Sequence, residues 1–472
     1  MTTAIMYISA IVSVAIVIFM LIKKMDIKIT MFLMGIVLTI IGIGMGNGTG
    51  IKDLQSTGIT LLDPIEAVVS QFKSSISAAG FIILILGGYS AYMSEIKANN
   101  VTVSVLTKPL GKVKSVYILV PVVFLIGNLL SLVIPSASNL AIILLATLYP
   151  VMLQAGMTPL TAAAIIATTA TVMPTPLGAD NVAIAAELAN TAEFAGITAS
   201  QYVFKYHAIV SIPTLLVMAI AHYFWQKYMD KKGITNNEKT KIETVAAEEI
   251  KGGLLYKTVY AILPLLPIVL LILVYILSSL GVATVSLSVE VAAIVSFIIA
   301  IVCELIRTRD AKKILTNTES FFKGMGNAIP IVALLVAATV FVNGLKSIGL
   351  ISALQDAMVG VQGSGMGFVL PLILVILTAL IVLLSGSGTA LFYAMVPLMV
   401  PLATAAGISV LAISVPMGLA GNLLRAVSPV SAVVMIVAGT TKKQPLEIVK
   451  RTSVPMIVGV VFMFILSVIM FL

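Results

Sequence analysis

Residues 135–156 read PSASNLAIILLATLYPVMLQAG, and an apolar helical run leads from them to PTPLGAD at 174–180. Residues 385–407 read SGSGTALFYAMVPLMVPLATAAG, and a second apolar run leads to RAVSPVSA at 425–432. Laid together, Ser136 and Ser138 meet Ser385 and Ser387, Pro150 meets Pro401, Gly156 meets Gly407, and Thr175-Pro176 meets Ser428-Pro429. The offset stays at about 250 residues, roughly half of a 472-residue chain. Gly, Ser and Pro interrupting apolar helices at matching places in two halves is the pattern of a secondary transporter built from internal repeats.

Composition sets the class. The chain is 60% hydrophobic and 10% charged, with mean hydropathy +1.15, more apolar surface than a soluble fold can bury. One cysteine, Cys303, leaves no disulfide framework or thiolate cluster. Two histidines, His207 and His222, each expected near a helix end, are too few and too distant for a His-based metal site. The net charge of +9 points away from nucleic acid, because 23 of the 28 Lys and Arg fall in segments 23–28, 97–114, 227–257, 307–323 and 442–451. Placing all five on the cytoplasmic side satisfies the positive-inside rule along the whole chain, so the basic balance reports topology.

That placement predicts an all-α polytopic membrane protein with about ten transmembrane helices, two re-entrant hairpins and two broken helices. The first helix, 4–22, has no basic residue before it and Lys23-Lys24 after it, so it reads as a retained crossing and not a secretory signal. Residues 1–226 form the first repeat, with crossings at 29–46, 76–93 and 207–226, a hairpin at 116–153 and a broken helix at 158–190. The glycines of IGIGMGNGTG mark a helix end with close backbone packing and not a phosphate loop, since no strand precedes them. Residues 227–257 are a cytoplasmic linker. Residues 258–472 repeat the plan upside down, with crossings at 259–279, 287–306, 327–345 and 453–472, a hairpin at 367–405 and a broken helix at 408–440. Each hairpin also fits as two full crossings. The short second arm of the first, and the small polar residues at its tip, favour re-entry.

The chemistry follows from the breaks. A helix restarting inside the membrane presents unpaired amides and a partial positive charge, which makes it an anion contact. Restarts are expected after Ser138-Asn139, Thr175-Pro176, Ser387-Gly388-Thr389 and Ser428-Pro429, a set suited to a ligand with two anionic ends. Arg425 is the one basic residue placed deep in the membrane, and its fork matches a carboxylate; the alternative is a structural ion pair with Asp180. Asp180 is the acid nearest the site and reads either as a proton or sodium carrier or as a helix cap. The candidate substrate ligands are Ser136, Ser138, Asn139, Thr175, Ser385, Ser387, Thr389, Arg425 and Ser428, with a possible sodium site at Ser138, Asn139, Ser387 and Thr389. Small polar residues in membrane helices are also common packing contacts. Cofactors are not expected.

GGYSAYMSEIKANN with the following TKPLGK, SASNLAIILLATLYPVM, SGSGTALFYA, RAVSPVSAVV and KRTSVPMIVG resemble the anaerobic four-carbon dicarboxylate carriers of the DcuC family. The likeness extends along nearly the whole chain, and Ser385, Gly386, Ser387, Gly388, Phe392, Tyr393, Arg425, Ser428 and Pro429 keep the family pattern. Thr389 and Leu391 depart from it, as does the spacing that ends at Asp180. The resemblance implies an inner-membrane carrier, a homodimer with scaffold and transport domains, that moves succinate, fumarate, malate and, by extension, aspartate in cation-coupled transport or exchange. Another carboxylate or amino-acid carrier of the same architecture shares every physical argument above. A channel needs a continuous polar path, and a hydrolase at Ser387 lacks a base to activate it.

Overall fold

A computed structural model describes residues 2–23, 25–51, 54, 56–108, 110, 115–134, 136–172, 174–232, 252–282, 287–359 and 367–472. Residues 233–251 of the expected linker, and Lys112 and Lys114, lie outside the described residues. Among the described residues the chain is all-helical. The first half runs α1 (Thr2–Ile22), α2 (Lys28–Gly44), α3 (Asp63–Glu95), α4 (Ala98–Thr107), α5 (Val116–Ser131), α6 (Ala137–Thr147), α7 (Tyr149–Gln154), α8 (Pro159–Ala167), α9 (Ala179–Leu188) and α10 (Ala199–Lys231). The second runs α11 (Leu254–Ser279), α12 (Val289–Thr308), α13 (Ala311–Ser347), α14 (Leu350–Val359), α15 (Val369–Ser385), α16 (Gly388–Ala406), α17 (Leu411–Arg425), α18 (Ala432–Thr441) and α19 (Pro445–Phe471). Taking α6 and α7 as one arm, the order of long, amphipathic, paired and interrupted helices is the same in both stretches.

Eight of the described helices are long and apolar enough to cross a membrane. Seven of them, α1, α3, α10, α11, α12, α13 and α19, overlap segments expected to cross; the eighth, α16, is an arm of the second expected hairpin. The other three expected crossings are α2, of 17 residues, and the two interrupted helices. Their pieces are 9 and 10 residues in one and 15 and 10 in the other. An interrupted helix falls short by length although its two pieces together fit a bilayer. Two helices begin more than ten residues earlier than expected. Residues 63–75, read as loop, are already helical in α3, and α13 starts at Ala311, capped by the Asp310 carboxylate on the Lys313 N–H at 3.0 Å.

Glycines set the packing at the centre. A Cβ on Gly35 would stand 2.6 Å from the Val340 carbonyl, and one on Gly324 would stand 2.5 Å from the Gly87 carbonyl. The α2 and α3 backbones therefore lie directly against α13, as small residues permit where lipid gives helices no hydrophobic reason to associate. Along α2 the contacts pair Gly35 with Val340 and Gly42 with Ser347, so these helices run the same way. Along α3 they pair Ser75 with Thr339, Gly80 with Val332 and Gly87 with Gly324, so α3 and α13, which correspond in the expected repeat, cross antiparallel. Around this centre α18 packs on α6 and α8, and α9 packs on α16: each restarted helix lies against the hairpin of the other half.

A second buried region ties α8, α10 and α19 together. Arg451, only 1% exposed, donates from Nη1 to Asp230 Oδ1 at 2.6 Å and to Thr161 Oγ1 at 3.1 Å. Gln226 Nε2 donates to the Arg451 carbonyl at 2.9 Å. Arg451 is thus buried more completely than Arg425, the basic residue expected to lie deep in the membrane. His222 is likewise buried inside α10 and not at a helix end, bonded to Thr168 Oγ1 at 3.2 Å.

Candidate functional site

One cavity of about 600 Å³ lies where the two halves meet. Its walls come from α3 and α13 on one side and from the hairpins and interrupted helices on the other. Ser136, Ser138, Asn139, Asp180, Ser387, Thr389 and Arg425 all line it, so seven of the ten candidate positions come together from segments far apart in sequence. Among the described residues no hydrogen bond engages the side chains of Ser138, Asn139, Ser387 or Thr389. Their polar groups are free for a ligand.

Thr175, Ser385 and Ser428 are outside the cavity wall, and their hydroxyls are engaged by the backbone. Thr175 Oγ1 accepts from the Leu177 N–H at 3.2 Å. Ser385 Oγ donates to the Ile381 carbonyl at 2.7 Å, and Ser428 Oγ donates to Leu383 O at 3.0 Å. Thr175 and Ser428 hold the interruptions in shape, and Ser385 does the same for the end of α15. The expected restarts after Thr175-Pro176 and Ser428-Pro429 shift accordingly, to Ala179 and Ala432. The Gly178 N–H reaches Thr175 O at 3.1 Å, and the Ser431 N–H reaches Ser428 O at 3.2 Å. Each proline thus occupies the second position of a four-residue turn, which its fixed φ suits as well as it suits the first turn of a helix. The cap comes at the end of the turn, where Ser431 accepts from the Val434 N–H at 3.4 Å.

Four helix starts, those of α6, α9, α16 and α18, open at the cavity through Ser136–Asn139, Gly178–Asp180, Ser387–Thr389 and Ala432–Val433. The start of α9 already carries an acid in its first turn, Asp180, and the other three carry none. Three uncompensated helix dipoles and a guanidinium therefore point their positive ends at one space. The tip of the second hairpin is held there by close approach. Gly386 closes α15 at φ +75°, and Gly388 lies so near Gly421 that a Cβ would stand 2.8 Å from its backbone.

The first interruption is splinted by Asn128 of α5, which is 2% exposed. Its Nδ2 donates to Thr168 O at 3.1 Å and its Oδ1 accepts from the N–H groups of Thr171 and Val172 at 3.2 and 3.3 Å. Backbone groups released by the break are thus satisfied inside the protein, the condition for non-helical backbone at membrane depth. A carbonyl within the same stretch, Ala170 O, accepts from Arg425 Nη2 at 2.5 Å. Arg425 is half-buried and forms no ion pair among the described residues. The Asp180 carboxylate accepts from the Asn181 N–H at 3.0 Å and from Asn422 Nδ2 at 2.9 Å, and the Asp180–Arg425 ion pair, the alternative reading of Arg425, is not formed. Asn128 and Asn422 were not among the candidate residues. Asn422 had a signal, three positions before Arg425 and so on the same helix face; Asn128, in an apolar run, had none.

The family described as DcuC, the C4-dicarboxylate anaerobic carrier, matches residues 6–472. The chain is 36% identical over 432 residues to the anaerobic C4-dicarboxylate transporter DcuC of Escherichia coli O6:H1, covering 91% of this chain and 89% of that one. It is 35% identical over 432 residues to the protein of the same name from Shigella flexneri, with the same 91% and 89% coverage. Among solved structures it is similar to the YdaH transporter of Alcanivorax borkumensis, described as having an unusual topology. The TM-score is 0.65 and the identity 16%, covering 93% of this chain and 98% of that one.

Proposed function

The chain belongs to the C4-dicarboxylate anaerobic carrier family, and on that premise we propose that its central cavity binds a four-carbon dicarboxylate and carries it by alternating access, coupled to a cation. As a member of that family it is a carrier and not an enzyme, and a multi-pass protein of the bacterial inner membrane. The observation that carries the proposal is the convergence of three uncompensated helix starts and an unpaired guanidinium on one cavity of about 600 Å³. That volume is in the usual range for small-molecule sites, about 300–1,000 Å³. The Arg425 fork takes one carboxylate bidentately, and the hairpin tips at Ser136–Asn139 and Ser387–Thr389 take the other through N–H groups and hydroxyls. Succinate, fumarate and malate fit this pattern, as does aspartate with the polar side chains around its amino group. Acetate, with one anionic end, does not.

Asp180 is the coupling group in this reading, as the one acid in the cavity lining among the described residues. The free oxygens of Ser138, Asn139, Ser387 and Thr389 are the candidate sodium ligands. Residues 1–226 and 258–472 are read as inverted repeats joined by the 227–257 linker, which the antiparallel α3–α13 crossing supports. A homodimer with scaffold and transport domains completes the reading.

Uptake of labelled succinate into proteoliposomes, under separately imposed proton and sodium gradients, tests it. Fumarate, malate and aspartate should compete and acetate should not. Equal competition by acetate removes the two-ended site. Cysteine labelling should reach 136–139 and 385–389 from opposite sides of the membrane; entry of both hairpins from one side removes the inversion. Cross-linking in vesicles reads the dimer.

A further inference from the structure

Asp180 and Arg425 line the same cavity with opposite charges, yet they are kept apart. In a site shielded from water two such groups attract strongly. What prevents their pairing is visible on α17. Asn422 lies one turn before Arg425 and donates Nδ2 to Asp180 Oδ2 at 2.9 Å, while the Asn181 N–H holds Oδ1 at 3.0 Å. Both carboxylate oxygens are therefore engaged by neutral donors. Arg425 spends one N–H on the Ala170 carbonyl, and the rest of its fork has no partner among the described residues.

We propose that Asn422 is a positioning residue: it holds the Asp180 carboxylate away from Arg425 so that the guanidinium of the empty carrier stays open to the substrate's carboxylate. This rests on the reading of Arg425 as the substrate's anchor. Without the Asn422 donor, Asp180 Oδ2 loses its neutral partner and turns to the nearest cation, Arg425. Substrate must then displace an internal carboxylate before it binds, and affinity falls while later steps are unaffected. Asn422 itself lines the cavity, and it acts on binding through the position of the Asp180 carboxylate.

The test is equilibrium binding of labelled succinate to the purified full-length protein in nanodiscs, with KM and kcat measured in proteoliposomes. Asn422→Ala should weaken binding by about tenfold and raise KM by a similar factor, with kcat within about twofold of wild type. Adding Asp180→Asn to Asn422→Ala removes the competing carboxylate and should return binding to the wild-type range. Asp180→Asn alone should bind succinate at least as well as wild type. Asn422→Leu, close in volume, asks the same question if the alanine variant does not accumulate. A structural role for Asn422 predicts instead a lower kcat and yield, with no rescue by Asp180→Asn, and that result overturns the proposal. So does loss of binding in Asp180→Asn alone, which makes Asp180 a direct substrate ligand. Arg425→Lys separates the two levels. If it binds normally, the anchor itself is wrong; if it fails while Asn422→Ala binds like wild type, the positioning role alone is wrong.

Discussion

Arg425 and Arg451 are two guanidinium groups buried in one chain under opposite arrangements. Arg451 is 1% exposed and meets a carboxylate, Asp230, at 2.6 Å, with Thr161 and Gln226 around it. Arg425 opens onto a cavity, meets one backbone carbonyl, and has its nearest acid tied to an asparagine. The charge of Arg451 is met by a carboxylate inside the protein before any ligand arrives, although its Nε and Nη2 find no hydrogen-bond partner among the described residues. A buried charge left uncompensated costs stability until a ligand of opposite charge arrives, so the arrangement around Arg425 fits the binding site proposed for it and the arrangement around Arg451 fits a joint.

Exchanging the two roles by mutation gives the strongest test. Arg425→Lys should reduce succinate uptake by roughly one and a half to three and a half orders of magnitude, the scale of losing a desolvated, hydrogen-bonded charge contact, about 2–5 kcal/mol at 1.4 kcal/mol per decade. Thermal unfolding in detergent should scarcely move. Arg451→Met should do the reverse. It strands Asp230 and should destabilise the protein by about 3–5 kcal/mol, with transport per surviving molecule retained. Adding Asp230→Asn should recover most of that stability, read as the melting midpoint. If Arg451→Met abolishes transport in correctly folded protein, the division into joint and site fails.

Two smaller effects sharpen the contrast. Asn128→Ala leaves the Thr168 carbonyl and the Thr171 and Val172 N–H groups without their partner, a cost of about 1–3 kcal/mol for each group left unsatisfied. Because these groups flank Ala170, to which Arg425 is tethered, the melting midpoint should drop and KM should rise together. Ser428→Ala removes one neutral hydrogen bond to Leu383 and should cost about 1 kcal/mol with KM unchanged. A raised KM in Ser428→Ala would return that hydroxyl to the list of substrate ligands.

The gap between the two arginines also shows what a single sequence discloses. Hydropathy and the spacing of Gly, Ser and Pro were enough to find the long helices, the two interruptions and seven residues of the cavity, because each rests on local composition. The exact helix starts were less legible, since Thr175-Pro176 and Ser428-Pro429 satisfy a turn and a helix start equally well, and only the hydrogen bonds to Gly178 and Ser431 choose between them. Arg451 was hidden among Lys442, Lys443 and Lys450, which read together as a solvated basic cluster. Its partner is 221 residues away, and Asn128 is 40 residues from the Thr168 carbonyl it satisfies, so neither pairing has a local signature.

The seam in which glycines bring α2 and α3 against α13 combines close backbone contact with a few hydrogen bonds, among them Ser347 Oγ donating to Gly48 O at 2.6 Å and Asn343 Nδ2 donating to Thr49 O at 2.8 Å, and the sequence between residues 232 and 252 is hydrophilic. A gene divided within that stretch and expressed as two polypeptides should therefore still yield a working assembly, each fragment recognising the other through that seam.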